Sequence, residues 1–357
     1  MRGLYIHIPF CKSKCKYCGF YSITQFDKSL ISKYTKALLK EFELYKNYEF
    51  DTIYIGGGTP SILAPVTLSD FLNKLLSLLK KEPLEFTIEA NPESLSPEKL
   101  KILKEYGVNR ISLGVQSMNN NVLKFLGRIH TQSDVYRATY FIKKFGFNFN
   151  VDLIYDIPNI DEEITIKSLK KLCDLAPNHI SAYSYSFDTL FLSESPPVEK
   201  TSMYKIRNLL QEKGYIQYEI SNFAKPGFQC KHNIIYWKMH DYIGLGAAAH
   251  SMINKKHKRI RWSHCTNIFA YIQSPFQYEN YTIIRNKDVL IENLIFGLRM
   301  IEGVDIAIPI ELNIMKNIDG LTHQGLLTIK GDKVCLTEKG LLYLDYVQEY
   351  LYTSLFA

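Results

Sequence analysis

The chain of 357 residues contains no apolar run approaching the roughly 20 residues needed to cross a bilayer. Its first ten residues, MRGLYIHIPF, lack signal-peptide anatomy, because the short apolar stretch contains a histidine and a proline and runs straight into cysteines. Low-complexity segments are absent, and charged residues make up only 22% of the chain. With 46% hydrophobic residues, the composition predicts a folded cytoplasmic protein with one large core or two unequal ones.

The excess of positive over negative charge is also small, because the net charge is only +7. The one dense basic run, KKHKRIR at 255–261, is interpreted most simply as a basic hairpin turn. We therefore expect no nucleic-acid partner.

Seven cysteines are present, and four of them are scattered singly, as is typical of small buried residues in a reducing compartment. The other three, Cys11, Cys15 and Cys18, lie within eight residues of each other and directly follow an apolar strand-like run. A structural zinc site would need a fourth ligand, usually from a second separated pair, and no second CxxC exists. A ferredoxin-type cluster would also need a fourth cysteine. Three thiolates on one loop favour a 4Fe–4S cluster with one iron free of protein ligands.

Six short runs rich in Ile, Val and Tyr alternate with amphipathic segments up to about residue 186. The runs are 4–8, 52–56, 85–90, 110–115, 150–155 and 179–186. Segments 28–46 and 67–80 have apolar residues at helical spacing, Ser96-Pro97 is typical of a helix start, and 119–126 predicts a short helix. This alternation predicts an α/β fold with a parallel sheet, and six units favour an incomplete (β/α)6 barrel. An open doubly wound sheet is the alternative.

The pattern changes after about residue 225, which gives three predicted regions. Residues 1–225 form the partial barrel, 226–286 an aromatic, turn-rich connecting region with short paired strands, and 287–357 a small α+β domain. The third region has a predicted helix over 288–300, a hairpin turning at Gly331-Asp332 and a closing helix over 341–351, a winged-helix-like order. A basic recognition helix for DNA is missing, since 311–319 carries only one lysine.

Polar and glycine residues follow the predicted strands. Gly56-Gly57-Gly58-Thr59-Pro60 comes directly after the second strand, where glycines allow close ligand approach and can offer amide N–H groups to an anion. Glu89 and Gln116 lie at the ends of the next two strands, where side chains project into a barrel mouth.

Taken together, CxxxCxxC and this glycine-rich turn resemble the radical-SAM superfamily. The resemblance implies that the open iron chelates the methionyl amine and carboxylate of S-adenosylmethionine. The segments YIHIPFC, GGGTPS, IEANPES, RISLGVQS, LGRIH and VDLIYDIP narrow it to the coproporphyrinogen-dehydrogenase-like branch. In that branch, Tyr5, Gly57 and Glu89 would contact the cluster-bound cofactor. The residues expected to line a second cofactor position are Tyr17, Gly58, Thr59, Gln116, Arg128 and Asp152.

Two features separate the members of that branch. The decarboxylating enzymes carry a further cysteine two residues after the triad, where this chain has Phe20. The HemW-type haem chaperones carry Asp-Phe there, so Gly19-Phe20 matches the phenylalanine and departs at the glycine. His232-Asn-Ile-Ile-Tyr236-Trp237 matches the HNxxYW motif of the chaperones.

An imidazole can ligate haem iron, and aromatic rings can pack on a porphyrin face. His232 is therefore a candidate ligand of haem iron, with Tyr236 and Trp237 beside it and Cys230 as a second or alternative ligand. A histidine beside aromatics can equally be a hydrogen-bonded core residue, and His250 is expected to be structural.

The resemblance implies a haem chaperone that holds a 4Fe–4S cluster, S-adenosylmethionine and haem and passes haem to an acceptor protein. Any peripheral membrane contact is expected through that acceptor. The alternative is an oxygen-independent coproporphyrinogen III dehydrogenase, or another radical enzyme acting on a tetrapyrrole. Because Phe20 replaces the extra cysteine, we expect no coproporphyrinogen dehydrogenase activity.

Overall fold

In the computed structural model, which describes residues 1–185 and 202–355, six strands alternate with six helices over the first half of the chain. The strands are β1 (Arg2–Ile8), β2 (Thr52–Gly57), β3 (Glu85–Ala90), β4 (Arg110–Gln116), β5 (Asn148–Tyr155) and β6 (His179–Ser184). The helices are α1 (Lys28–Phe42), α2 (Pro65–Ser77), α3 (Pro97–Glu105), α4 (Asn120–Phe125), α5 (Gln132–Lys144) and α6 (Glu162–Asp174). Strands β1 to β6 pair in parallel in chain order, as predicted. Residue 186, the last of the sixth predicted strand, lies outside the described residues.

Local sequence explains where the helices begin. The carboxylate of Asp27 accepts the N–H of Leu30 at 2.7 Å and caps α1. Ser96 caps α3, which starts with proline as expected. The helix predicted over 28–46 ends at Phe42 and continues as a 3₁₀ turn over Glu43–Tyr45.

The two faces of the strands carry different kinds of side chain. Outward side chains such as Ile53, Ile88 and Leu113 are fully buried and form one core with the surrounding helices. Inward side chains, such as Ser112 and Asn150, are polar and line a cavity. The strands are therefore apolar toward the helices, and the barrel interior is polar.

The next region extends the same sheet at both ends. Its elements are α7 (Ser202–Glu212), β7 (Ile216–Glu219), β8 (Asn222–Ala224), α8 (Lys231–Trp237), β9 (Asp241–Leu245), β10 (His250–Lys255), β11 (Lys258–Ser263), α9 (Ile268–Gln273) and β12 (Glu279–Arg285). The strand order is β12-β11-β10-β9-β1-β2-β3-β4-β5-β6-β8-β7. Strand β9 pairs in parallel with β1, which was not predicted, and the basic run turns between β10 and β11. Within the described ranges the edge strands β12 and β7 do not pair, so the prediction of an incomplete barrel is confirmed.

The last part of the chain has its own small sheet and hydrophobic cluster. Its elements are α10 (Lys287–Gly297), β13 (Val304–Asp305), α11 (Ala307–Glu311), α12 (Met315–His323), β14 (Leu327–Lys330), β15 (Lys333–Leu336), α13 (Glu338–Leu342) and α14 (Leu344–Ser354). The strand order is β13-β15-β14, and the predicted hairpin is β14–β15. This arrangement is the winged-helix-like α+β unit that was predicted. The closing helix is divided at Tyr343, whose φ of −113° and ψ of 25° interrupt helical geometry.

Candidate functional site

The three clustered cysteines lie on the loop of residues 9–23 after β1, here called the cluster loop. A backbone bond from Cys11 N to Ile23 O at 3.0 Å closes the loop on itself. A second bond, from Lys16 N to Leu126 O at 3.2 Å, ties the loop to the end of α4. All three cysteines are partly exposed, so the loop presents its thiols at the carboxyl end of the parallel strands.

The thiols face polar groups of the barrel mouth. Cys11 Sγ lies 3.6 Å from Thr59 Oγ1, and Arg128 Nη1 donates to Cys15 Sγ at 3.6 Å. Burial raises the pKa of Cys18, which lines the central cavity.

The residues present fit a cubane cluster better than a single metal ion. Among the described residues, no three His, Cys, Asp or Glu side chains converge on one ion, whereas structural zinc needs four such ligands. In a 4Fe–4S cluster each cysteine binds a different iron. Three thiols on one loop, without a fourth nearby, suit a cluster that keeps one iron open.

A cavity of about 400 Å³ lies inside the barrel next to the cluster loop. It brings together eight of the residues predicted to contact cofactor: Tyr17, Gly57, Gly58, Thr59, Glu89, Gln116, Arg128 and Asp152. Four others do not line it: Tyr5, His232, Tyr236 and Trp237.

The glycine-rich turn is shaped by close backbone approach. A Cβ on Gly58 would lie 2.8 Å from the backbone of Phe10, and Gly57 has a φ of +109°. Gly58 N and Thr59 N donate to the carbonyls of Ile8 and Phe10, each at 2.8 Å. The amide groups of Gly58 and Thr59, which were expected to be available to an anion, are thus already hydrogen-bonded within the protein. These bonds hold the cluster loop against the end of β2.

Glu89 lies at the end of β3 with two donors on its carboxylate. The hydroxyl of Tyr54 donates to Oε1 at 2.8 Å, and the N–H of Gly57 donates to Oε2 at 3.0 Å. Burial raises the pKa of Glu89 to about 7, aided by the charge of Asp152 and opposed by these two hydrogen bonds. The carboxyl group therefore titrates near neutrality, and a cationic amine beside it would hold it ionised.

Tyr5 acts on this turn through His7. Nε2 of His7 bonds the carbonyl of Tyr21 at 2.9 Å, so Nδ1 accepts the hydroxyl of Tyr5, also at 2.9 Å. Burial lowers the pKa of His7 to about 4, which keeps the ring neutral. A Cβ on Gly57 would come within 2.6 Å of both Cε1 and Nδ1 of this ring.

Arg128 joins the cluster loop to the strand ends. Its Nη2 donates to Asn91 Oδ1 at 2.6 Å and to the carbonyl of Gly114 at 2.7 Å. Gln116, two residues after that glycine, is 7% exposed and has a φ of +71°. A non-glycine residue held in this region stores strain of about 1–3 kcal/mol, which is typical of functional sites.

Asp152 on β5 belongs to a polar network deeper in the barrel. Asn150 Nδ2 donates to Asp152 Oδ1 at 2.7 Å and to Ser112 Oγ at 2.8 Å. Asn150 Oδ1 bonds His179 Nδ1 at 2.7 Å. Burial raises the pKa of Asp152, and the Asn150 bond opposes that rise.

Helix α8, which carries the HNIIYW motif, contacts the amino ends of β1, β2 and β3. His232 is 1% exposed, its Nδ1 lies 2.7 Å from Thr52 Oγ1, and its Nε2 lies 2.8 Å from the hydroxyl of Tyr236. Burial and the charge of Arg110 lower the pKa of His232 to about 3. The imidazole is therefore neutral, and both of its nitrogens are hydrogen-bonded.

Tyr236 and Trp237 of the motif lie apart from the cavity. The ring of Tyr236 packs edge-on against His232, with 5.0 Å between ring centroids. The guanidinium of Arg299 stacks over Trp237 at 4.2 Å. Cys230 is fully buried and its Sγ bonds Glu85, whereas His250 is exposed.

Comparison with known proteins places this geometry in a family. A model of the radical SAM superfamily matches residues 5–172. A heme chaperone HemW of Lactococcus lactis is 36% identical, with 94% of this chain and 93% of that protein covered. Those of Bacillus subtilis and Escherichia coli are 34% and 33% identical over 96% and 97% of this chain, covering 97% of each protein. This chain belongs to the heme chaperone HemW family.

The fold of this HemW-family member also resembles a solved enzyme structure. Coproporphyrinogen III oxidase (HemN) from Escherichia coli superposes with a TM-score of 0.82, covering 98% of this chain and 89% of that one. The sequence identity is 22%, so this likeness concerns the fold. No helix within 1–185 or 202–355 is long and apolar enough to cross a membrane.

The two residues that distinguish the groups of the branch lie at the cavity mouth. Phe20 is 66% exposed, and both it and Gly19 line the cavity beside Cys18. The phenyl ring therefore borders the cavity at the position where the sequence comparison expected a further cysteine in the decarboxylating enzymes.

Several cavity residues were missed by sequence reasoning. They are Tyr54, Asn91, Arg110, Asn150 and Asn233. Two of them could have been found from strand alternation, since Tyr54 precedes Gly56 by two positions and Asn150 precedes Asp152 by two. Asn233 could not be found in this way, because its position in the cavity lining depends on how α8 packs against the strand ends.

Proposed function

We propose that this protein binds haem and passes it to an acceptor protein, and that it does so in the cytoplasm with a 4Fe–4S cluster and S-adenosylmethionine. The observation that carries the proposal is its identity of 36% over nearly its full length to a protein named heme chaperone HemW. The HNIIYW segment and its helix support it. Any membrane contact would come through the acceptor.

In this proposal the thiolates of Cys11, Cys15 and Cys18 hold the cluster. Tyr5, Gly57 and Glu89 serve the cofactor at the open iron, with Tyr5 acting through His7 and Glu89 facing the methionyl amine. A second cofactor position would use Tyr17, Gly58, Thr59, Gln116, Arg128 and Asp152. Their common cavity with Cys18 supports this assignment.

The haem proposal assigns iron ligation to His232, with Tyr236 and Trp237 beside the porphyrin. A neutral imidazole is the form that binds metals, and burial keeps this one neutral. Ligation would require Nε2 to exchange the hydroxyl of Tyr236 for iron. The proposal therefore includes a displacement of α8 when haem binds.

The decisive experiment uses one anaerobically reconstituted sample for haem titration and for a coproporphyrinogen assay. We expect stoichiometric haem binding and no protoporphyrinogen, even with a strong reductant and excess S-adenosylmethionine. Multiple-turnover formation of protoporphyrinogen would overturn the chaperone proposal in favour of the dehydrogenase. Slow release of 5′-deoxyadenosine would leave it standing, since a reduced cluster can cleave its cofactor without a substrate.

A further inference from the structure

Arg110 is the first residue of β4 and points into the barrel. It is 6% exposed and lines the central cavity at the end away from the cysteines. Asn233 of α8 lines the same cavity, because α8 lies against the amino ends of the strands. The floor of the cavity thus contains an arginine and the asparagine of the HNIIYW motif.

The guanidinium of Arg110 has no hydrogen bond or ion pair with any residue in the described parts of the chain. The side-chain amide of Asn233 likewise has no partner among them. Thr87, which is in register with Arg110 on β3, has a buried hydroxyl without a partner. By contrast, the buried Arg259 bonds Glu292, Asn293 and Asn254 at 2.5, 2.7 and 3.0 Å.

Three carboxylates interact with the charge of Arg110, namely those of Glu85, Glu89 and Asp152. Each has other donors. Glu85 accepts Cys230 Sγ and the N–H groups of Lys231 and His232 at 3.4, 2.9 and 3.1 Å. Glu89 and Asp152 are bonded as described above, and no oxygen of the three lies within 4.0 Å of the guanidinium.

A buried guanidinium is stable when its donors are bonded, and its planar fork matches a carboxylate. We propose that Arg110, assisted by Asn233, binds a carboxylate of the ligand that fills the central cavity. In this arrangement the HNIIYW motif serves the cavity through its asparagine, while its histidine faces the strand ends.

Two ligands in the proposed function carry such a carboxylate: haem through a propionate, and a second S-adenosylmethionine through its methionyl group. The haem arm of the test rests on the proposed function. The S-adenosylmethionine arm is independent of the haem function, because it measures cofactor binding to the cluster-loaded protein alone.

The experiment compares the full-length cluster-loaded protein with Arg110→Gln and Arg110→Lys. Dissociation constants are measured anaerobically for haem, for haem with both propionates esterified and, by equilibrium dialysis, for S-adenosylmethionine. If a propionate is bound, the wild type prefers haem to the ester at least tenfold, and Arg110→Gln removes that preference. If a second cofactor is bound, Arg110→Gln reduces the stoichiometry from two per cluster to one. Arg110→Lys should retain part of either effect.

Thermal unfolding of the ligand-free variants provides the structural control. Arg259→Gln should lower the midpoint, because it leaves Asn293 without its partner and Glu292 with Arg261 as its one remaining guanidinium in the described parts of the chain. Arg110→Gln should lower it less or raise it, because it removes a buried charge that has no bonded partner. An equal drop in both variants, with unchanged ligand binding in Arg110→Gln, would make Arg110 a structural counter-charge and overturn the inference.

The two proposals fail in distinguishable ways. A wild type that binds haem without preferring it to the ester, and binds one S-adenosylmethionine, overturns the carboxylate site and leaves the haem function standing. A wild type that binds no haem overturns the proposed function. Loss of the second S-adenosylmethionine in Arg110→Gln would then still support the carboxylate site.

Discussion

The two ends of the barrel carry sequence motifs that differ in burial and in hydrogen bonding. At the carboxyl end, the cluster loop holds three partly exposed cysteines, and Phe20 beside them is largely exposed. At the amino end, His232 is buried with both nitrogens bonded, and Glu85 accepts three donors from the start of α8. A motif alone does not indicate whether its donor atoms are available. The cysteines are open to a ligand, whereas the histidine must first give up a partner.

The largest effect is expected at the cluster loop. Replacing Cys15 by Ala should abolish bound iron and the broad charge-transfer absorbance near roughly 400 nm of a 4Fe–4S cluster, because no other thiol stands ready to replace it. The same holds for Cys11 and Cys18. Ala at Cys173, Cys265 or Cys335 should leave the iron content unchanged. Iron retained without Cys15 would show that the triad is not the ligand set.

The next effect tests the amino end. His232→Ala leaves the hydroxyls of Thr52 and Tyr236 without a partner and creates a cavity, which should lower the free energy of unfolding by about 2–4 kcal/mol in urea titrations. Cluster content should not change. Tyr236→Phe removes one bond only and should cost about 1 kcal/mol.

Haem binding to the same variants sharpens the comparison. His232→Ala should weaken haem binding or shift the Soret band, and Trp237→Ala should show a smaller loss. A His232→Ala protein that is as stable as the wild type would show that the packing and hydrogen bonds of the imidazole do not stabilise the fold. Unaltered haem spectra in that variant would move the iron ligand elsewhere.

The pH dependence of stability is a smaller test. Glu89 has a raised pKa of about 7 in the folded state against an ordinary value of 4.5. The folded protein therefore binds the proton more tightly, and the stability from this group is present at low pH and lost as pH rises from about 4.5 through 7. Glu89→Gln should remove up to roughly 2–3 kcal/mol of that loss, since one pKa unit is about 1.4 kcal/mol.

The measurement is the free energy of unfolding of cluster-loaded, cofactor-free protein at pH 5 and pH 8. The readout is the difference between the free energies of unfolding at pH 5 and pH 8. A change in hydrogen bonding to Tyr54 and Gly57 in Glu89→Gln alters both values equally and cancels in this difference. The exposed Glu163→Gln on α6 serves as control and should follow the wild type. An identical pH dependence in Glu89→Gln would show that the carboxyl is ionised throughout.

The smallest effect on stability is expected at Phe20. Because its ring is largely exposed, Phe20→Ala and Phe20→Cys should change the free energy of unfolding by less than about 0.5 kcal/mol. Neither the wild type nor Phe20→Ala should form protoporphyrinogen in the coproporphyrinogen assay. Robust activity of the wild type would show that a thiol at this position is dispensable for the enzyme.

Much of the partial barrel could be predicted, because strand and helix signals there are local. Ser96-Pro97 and the run 110–115 specify their elements without distant contacts. Strand β9 was missed because Asp241–Leu245 is short, and its parallel pairing depends on residues far away in the chain.

The candidate site divides in the same way. The cysteines follow β1, while Glu89 and Asp152 lie on β3 and β5, and all of them could be located from the sequence. The state of their hydrogen bonds could not, because it depends on which elements meet. The amides of the glycine-rich turn are bonded to Ile8 and Phe10, and the imidazole of His232 is bonded across 180 residues to Thr52.

The parallel pairing of β9 with β1 also sets the order in which the molecule can be assembled. Arg2 is in register with Asp241, so one edge of β1 stays open until the ribosome has added about 240 further residues. Contacts of such sequence separation form late, because a long loop must close first. The cysteines just after β1 therefore emerge early on an incomplete sheet, and the edge of β1 beside them is covered only after β9 has docked. We expect the cluster loop to reach its final shape only after the second half of the chain has been synthesised.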